Sequence, residues 1–381
     1  MDSPDPPETG SSAGSSAIAA ESVNEDDFFA RVLQRPPSRR RPRTAEQPPQ
    51  ANPETEDPGA GITESSDSDL GIDVADYPAS MTSSIRAHVY EGGLRYHAFR
   101  DGRYAFPNDD IEQNRDDMKH AMTLMLMRGE YFYAPVGETL REGGSVYDLG
   151  TGTGIWAIEL ADKYPNSLIR GCDLSPIQPN YIPPNCHFVI DDLEDEWLYP
   201  EDTFDYIHVR HTLHSIRDRK TLLERCYRHL KPGGYVEFQE LHYSPKCDDA
   251  TLTADTPYAF RDFMTYMDAG LRALGSELNA VADLPGEMQA AGLADVRRAA
   301  LHRCPIGVWP RDRRLRCCGL FMRTAIMDGL RGLAGRPLGT GLGWTTLQIE
   351  MFLVEVRKSL MDSGFHAYFP FHVVYGRKPA A

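Results

Sequence analysis

Three acidic positions and one run of glycines carry the chemistry open to this sequence. In VYDLGTGTGIWAIEL, residues 146–160, Gly150, Gly152 and Gly154 alternate with threonines between a β-prone run and an apolar helical pattern. Glycine admits positive φ and lets backbone approach a ligand closely. Asp148 stands just before that loop. Asp173, followed by Leu174, closes the next apolar run, and Asp191, Asp192 and Leu193 open IDDLEDEW after a third. Acids so placed accept the hydrogens of a nucleoside: Asp173 from both ribose hydroxyls, Asp191 or Asp192 from an adenine amino group. The amide of Leu193 can donate to a ring nitrogen.

The loop spacing separates two ligand classes. A dinucleotide loop, G-x-G-x-x-G, needs its third glycine where this chain has Ile155; the spacing here is G-x-G-x-G. A carboxylate at Asp148 also opposes a pyrophosphate, which seeks backbone N–H groups and a positive helix end. It suits an ammonium or sulfonium, and S-adenosylmethionine carries both with no phosphate. Methyl transfer from a sulfonium rests on alignment and water exclusion, with a general base only for a hydroxyl or protonated amine acceptor. Candidate bases are His211, after the fourth apolar run, and Glu240 and His242, after the fifth. Arg210 is a candidate partner for the cofactor carboxylate. His208 reads as a packed strand residue. No H-E-x-x-H or comparable ligand spacing is present, so no metal is expected.

The elements that position these groups alternate strand and helix. Strands are expected at 145–149, 168–173, 186–190, 204–209 and 235–240, the last after a KPGG turn at 231–234, with helices at 154–163 and 218–229. Short apolar strands alternating with helices predict a parallel sheet covered on both faces. A helix over 108–129, capped by Asn108 and with Ile111, Met118 and Met122 on its apolar face, is expected to cover the cofactor, Tyr104 and Phe106 sealing the adenosine. Helices at 257–274, 284–292 and 311–333 follow, then one from Thr345, which has capping-box spacing to Gln348. Two late strands, 296–303 and 368–375, predict a hairpin carrying a helical insertion. That insertion is expected to wall the acceptor pocket, and Trp309, Trp344 and Phe352 read either as core or as its lining, the core reading being favoured.

Residues 1–80 are rich in Ser, Pro, Glu and Asp and predict a disordered tail before a domain at 81–381. Within that domain, a cofactor half spans about 104–245, and the helical cap and final strands about 246–379. The tail holds RPPSRRRPR, residues 35–43, which reads either as a nuclear-import patch or as a solvated basic island. The net charge of −16 argues against direct nucleic-acid binding. Seven cysteines without a C-x-x-C pair predict reduced thiols. The N-terminus lacks a secretory pattern, and no apolar run approaches the roughly 20 residues that span a bilayer. A cytoplasmic or nuclear location follows as the expectation.

Six stretches together resemble the class I S-adenosylmethionine-dependent methyltransferases, and more narrowly the fungal LaeA-like family: YAFPNDDIEQNRDD (104–117), YDLGTGTGIWAIELADKYPN (147–166), CDLSPIQPNYIPPN (172–185), IDDLEDEW (190–197), LKPGGYVEFQE (230–240) and HAYFPFHVVYGRKP (366–379). DLSPIQP and HAYFPF are far more specific than the glycine loop. The likeness spans residues 90–379. It implies a Rossmann-like α/β fold, a seven-stranded, mostly parallel sheet with the last strand antiparallel, and cofactor at the carboxyl ends of the first three strands. The family's motif residues fall on Asp148, Gly150, Gly152, Gly154, Asp173 and Asp192. The family includes enzymes of biosynthetic clusters and a nuclear regulator that works beside velvet-type proteins. The GTGTG loop, where the regulator has GCGTG, favours an enzyme with a small-molecule acceptor over a regulator acting through protein partners.

Overall fold

A computed structural model describes residues 87–380. The tail, its basic island and the start of the domain at Met81 lie outside the described residues. The expected strands form a single sheet: β3 (Ser145–Leu149), β4 (Leu168–Asp173), β5 (Cys186–Ile190), β6 (Phe204–Arg210) and β7 (Leu230–Leu241). A hairpin of β1 (His88–Glu91) and β2 (Leu94–His97), not foreseen from the sequence, precedes them. Two late strands, β8 (Ala294–Pro305) and β9 (Tyr368–Arg377), complete the sheet in the order β5-β4-β3-β6-β7-β9-β8. β9 alone runs opposite in direction to the other strands of the sheet, pairing antiparallel with both β7 and β8.

Both sheet faces are buried, as near-continuous apolar strands require. Val146, Ile169 and Tyr206 pack with Trp156 and Leu160 of α3 (Ile155–Lys163) and Leu140 of α2 (Gly137–Glu142). On the opposite face, Tyr147, Ile207 and Val236 pack with Leu222 of α4 (Arg219–His229) and Met288 of α6 (Leu284–Ala290). Adjacent residues serve opposite faces because side chains alternate along a strand. Strand order reverses at β3, which lies between β4 and β6. The crossovers there leave on opposite faces and open a crevice at the carboxyl ends.

Two local expectations are corrected. The helix α1 (Asp110–Leu126) is capped by Asp109, whose Oδ1 accepts from the amides of Ile111 and Glu112 at 3.1 Å each. Asn108 instead accepts from Arg95 Nε at 3.2 Å, and Ile111 is exposed. KPGG is not a free turn but the start of β7. The Gly233 amide donates to Lys378 O and the Lys378 amide to Gly234 O, each at 2.9 Å, so the C-terminal chain pairs with it.

Between β8 and β9 lie α7 (Arg313–Ala334), a π-helical turn (Gly335–Gly341) and α8 (Thr346–Met361), whose Thr345/Gln348 capping box is formed. Helix α5 (Ala259–Ala273) packs against this π turn and α8. The contact works only because Gly270 has no side chain: a Cβ there would sit 2.3 Å from Pro337 O. Gly270→Ala is therefore expected to lower the unfolding free energy by about 1–3 kcal/mol, the usual cost of overpacking. Urea denaturation reads this directly, and an unchanged midpoint would show that the helix and turn can separate freely.

Candidate functional site

The glycine loop has the backbone its composition foretold. Gly150, Gly152 and Gly154 have φ of 72°, 56° and 79°. A Cβ on Gly150 would lie 2.3 Å from Thr212 Oγ1, and one on Gly154 2.5 Å from the Phe188 ring. At Gly152 the sole neighbour would be Asp116 Oδ2 at 3.4 Å, so this residue faces open space. The loop borders a cleft of about 1170 Å³, its mouth included.

Asp148 ends β3 and forms part of the cleft wall while remaining 3% exposed. Its Oδ2 accepts from Thr151 Oγ1 at 2.6 Å and its Oδ1 pairs with His208 Nδ1 at 2.7 Å. Burial lowers the His208 pKa, so a neutral imidazole donates Nδ1–H to the carboxylate. The ring stacks on Trp156 at 3.6 Å. His208 is thus the packed strand residue expected, with a positioning task added.

Asp173 accepts from the Gly152 amide at 2.8 Å and the Ser175 amide at 2.9 Å, one on each oxygen. Burial pushes its pKa up to about 6 against those two bonds. Asp192 lines the cleft, its Oδ1 accepting from the Glu194 amide at 3.0 Å and its Oδ2 lying 3.1 Å from Arg103 Nε. Asp191 does not line it; this carboxylate caps the Asp192 amide at 2.8 Å. Leu174 and Leu193 both line the cleft and offer apolar surface for a flat ring.

Arg210 also lines the cleft, with its NH2 group 2.8 Å from His120 Nδ1. A guanidinium only donates, so Nδ1 accepts and His120 Nε2 carries the hydrogen given to Glu159 Oε2 at 2.9 Å. His211 lines the cleft with φ of 52°. Its Nε2 lies 3.2 Å from Thr123 Oγ1, and its Nδ1 is buried without a hydrogen-bond partner. Burial first, then Lys119 and Arg210, hold the ring well below the usual histidine range and so neutral.

Two candidate bases are not brought to the cleft. Glu240 Oε1 accepts from the amides of Thr212 at 2.9 Å and Leu213 at 3.0 Å, clamping the turn after β6 from behind. His242 lies beside His372, away from the lining. Trp309 donates to Ala367 O and Trp344 packs on Tyr266 and Phe352; neither tryptophan nor Phe352 lines the cleft or the cavity behind it. Tyr104 does line the cleft, whereas Phe106 lines a second cavity behind it.

Sequence reasoning missed the polar face of α1. Glu112, Gln113, Asp116 and Lys119 all line the cleft, with Lys119 paired to Asp116 at 2.8 Å. Thr153 Oγ1 donates to Asp117 at 2.8 Å and ties the loop to this helix. The signal was the acid run NRDD, which reads locally as a solvated face. Among the lining residues, Asp116, Asp148, Asp173, Asp192 and Glu194 outnumber Arg103, Lys119 and Arg210, while Glu112 is paired with Arg115 behind the wall. A negative crevice beside a glycine loop fits the cationic, phosphate-free S-adenosylmethionine.

Fold and cleft together define an S-adenosylmethionine-dependent methyltransferase. A family model described as "Methyltransferase domain" matches residues 124–293. "Methyltransferase pytC" of Aspergillus terreus is 36% identical over 79% of this chain and 91% of its own length. "Secondary metabolism regulator LAE1" of Cochliobolus heterostrophus is 34% identical over 77% of this chain and 95% of its own. "Protein-methionine methyltransferase laeA" of Emericella nidulans is 31% identical over 79% and 80% respectively. The chain belongs to the LaeA-like methyltransferase family. No helix among the described residues is long and apolar enough to cross a membrane.

Burial raises the Glu240 pKa from 4.5 to about 7. A carboxyl whose pKa is raised by folding gives stability that is complete below about 4.5 and lost as pH rises through about 7. Buried His214, lowered from 6.5 to about 3, works oppositely: its contribution is present above 6.5 and lost as pH falls toward 3. Glu240→Gln keeps the accepting oxygen and removes one titration. The melting temperature of this variant relative to the native chain is expected to rise steadily between pH 4.5 and 7. A constant difference across that window would mean that Glu240 stays charged when folded.

Proposed function

We propose that this chain transfers a methyl group from S-adenosylmethionine to a small molecule of fungal specialised metabolism. The observation that carries this reading is the second cavity, which adjoins the cleft and shares Tyr104, Glu112 and Lys119 with it. Its walls are buried residues, including Phe106, Met267 and Phe369. A chamber of that kind admits a compact acceptor more readily than a partner protein's surface.

When bound, the cofactor would supply an electrophilic methyl on its sulfur, the acceptor forming the new bond to that carbon as the S–C bond breaks and a neutral thioether leaves. The chain's part is to hold, align and exclude water. Each Asp173 oxygen accepts one backbone amide and keeps a lone pair for a ribose hydroxyl. Asp192 and the Leu193 amide serve the adenine edge. Arg210, braced by His120, would hold the cofactor carboxylate. Asp148, each oxygen holding one internal hydrogen bond, supplies negative charge on the wall where the cationic end would lie. His211 presents a neutral ring with an unpaired, buried Nδ1 and is the candidate base or acceptor guide.

A second reading is a nuclear regulator acting through velvet-type partners. It draws on the relatives named as regulators of secondary metabolism. A reporter fused to residues 1–80 that stays out of nuclei would remove its support.

Asp173→Ala is expected to weaken S-adenosylmethionine binding by about 1.5–3 kcal/mol, the range for hydrogen bonds to a charged group. Calorimetric titration measures this, and an unchanged affinity would place the ribose elsewhere. The same allele tests the function. A strain carrying it should lose the methylated metabolite that a deletion strain loses, accumulating a precursor one CH2 lighter. An Asp173→Ala strain with normal metabolites would overturn the enzymatic reading.

A further inference from the structure

The chamber behind the cleft encloses about 640 Å³ of empty space, the open solvent at its mouth included. Its walls combine the rings of Phe106, Tyr243 and Phe369 with the thioethers of Met264, Met267 and Met322. Thioethers pack against ring edges, and their flexible chains adapt to a flat guest. The charged groups on its walls satisfy one another. Arg115 is paired with Glu112 and donates to Ala325 O, and Lys119 on the shared rim is paired with Asp116. A charged guest would therefore find no free counterion.

One polar atom breaks this pattern. His214 is 8% exposed, with its ring between Phe106 at 5.7 Å and Tyr243 at 5.8 Å. Its Nδ1 is buried and has no hydrogen-bond partner. Burial, aided by Lys119 and opposed by Asp116, holds this imidazole neutral at physiological pH. A neutral imidazole whose ring makes no hydrogen bond has one acceptor nitrogen to offer a hydroxyl. Buried polar atoms rarely go unpaired, and one that does in a pocket marks where a ligand group belongs.

We infer that this chamber is the acceptor site and takes an uncharged aromatic molecule held by a hydroxyl that donates to His214. The inference rests on the small-molecule reading above and narrows it to a chemical class. No residue of the cofactor wall is needed for this recognition.

The test uses the full chain and three probes: 1-naphthol, naphthalene and 1-naphthoate. Calorimetry or fluorescence quenching should show 1-naphthol binding about tenfold more tightly than naphthalene, as one buried hydrogen bond would give, and no binding of 1-naphthoate. His214→Phe keeps the ring volume and should bring naphthol and naphthalene to equal affinity. Leu333→Trp, at a half-buried position on the chamber wall, should abolish binding of both. Titration with S-adenosylmethionine checks that each variant retains a folded cleft; Ala325→Phe replaces Leu333→Trp should that variant fail to fold. Naphthol preference surviving in His214→Phe, tight binding of 1-naphthoate, or naphthol bound after the chamber is filled would each overturn the inference. Such a failure would leave the methyl-transfer reading intact, because the Asp173→Ala strain tests that reading without reference to the chamber.

Discussion

A carboxylate buried at the end of a strand has to be given donors, and the site is built around meeting that need at Asp148. One donor comes from the glycine loop, Thr151, and the other from β6, His208. His208 can serve only if its ring is oriented, which the Trp156 stack from α3 provides. Loop, strand and helix thereby fix one another. The same economy continues at the end of β6. Thr212 fills the space that a side chain on Gly150 would need, and Glu240 clamps the amides of Thr212 and Leu213. His211, caught between, adopts a left-handed backbone that a histidine seldom takes. Such a conformation persists only where its surroundings over-determine it, and these do.

Helix α1 links this cofactor side to the cap. Its Asp116, Lys119 and Glu112 face the cleft, while Arg115 reaches the Ala325 carbonyl of α7. Gly329 leaves the room for that guanidinium: a Cβ there would lie 2.1 Å from Arg115 Nε. Glu112 lines both cavities and is itself paired to Arg115. A shift of α7 would therefore move the wall that the cleft and chamber share. This coupling is local packing, not a remote effect, because one helix carries both sets of contacts.

The sheet was legible because short apolar runs between helical patterns have few other solutions, and the bounds of β3, β4 and β5 match the expectation. Asp173 was legible from its place at a strand end beside a glycine loop. Asp191 and Asp192 were not separable, because adjacent residues leaving a strand point to opposite sides and only tertiary placement chooses between them. Glu240 looked like a base because the sequence shows an acid after a strand; the two amides it serves lie far back along the chain. KPGG looked like a turn because its pairing partner is Lys378. The chamber had no local signature at all. Phe106, His214, Tyr243, Met264, Met322 and Phe369 come from separate segments and meet only in the fold. Trp309 and Trp344 read as core or as pocket lining from the sequence, and only tertiary placement shows them packed on Ala367, Tyr266 and Phe352.

The two cavities differ in charge, and that difference bears on how the enzyme orders its ligands. Acids outnumber basic groups on the cleft wall, while the ionisable groups of the chamber neutralise each other or, as with His214, stay uncharged. In a low-dielectric crevice such an excess acts strongly on a positive ligand. Those acids favour the sulfonium form of the cofactor over its demethylated product, which has lost the charge. Methyl transfer thus removes part of what retains the cofactor, and the field that draws the donor in also eases the spent form out. The chamber has no such bias, so its guest is selected by shape and one hydrogen bond. Residues of the cap can then change without disturbing the cofactor, which is how one sheet can serve different acceptors.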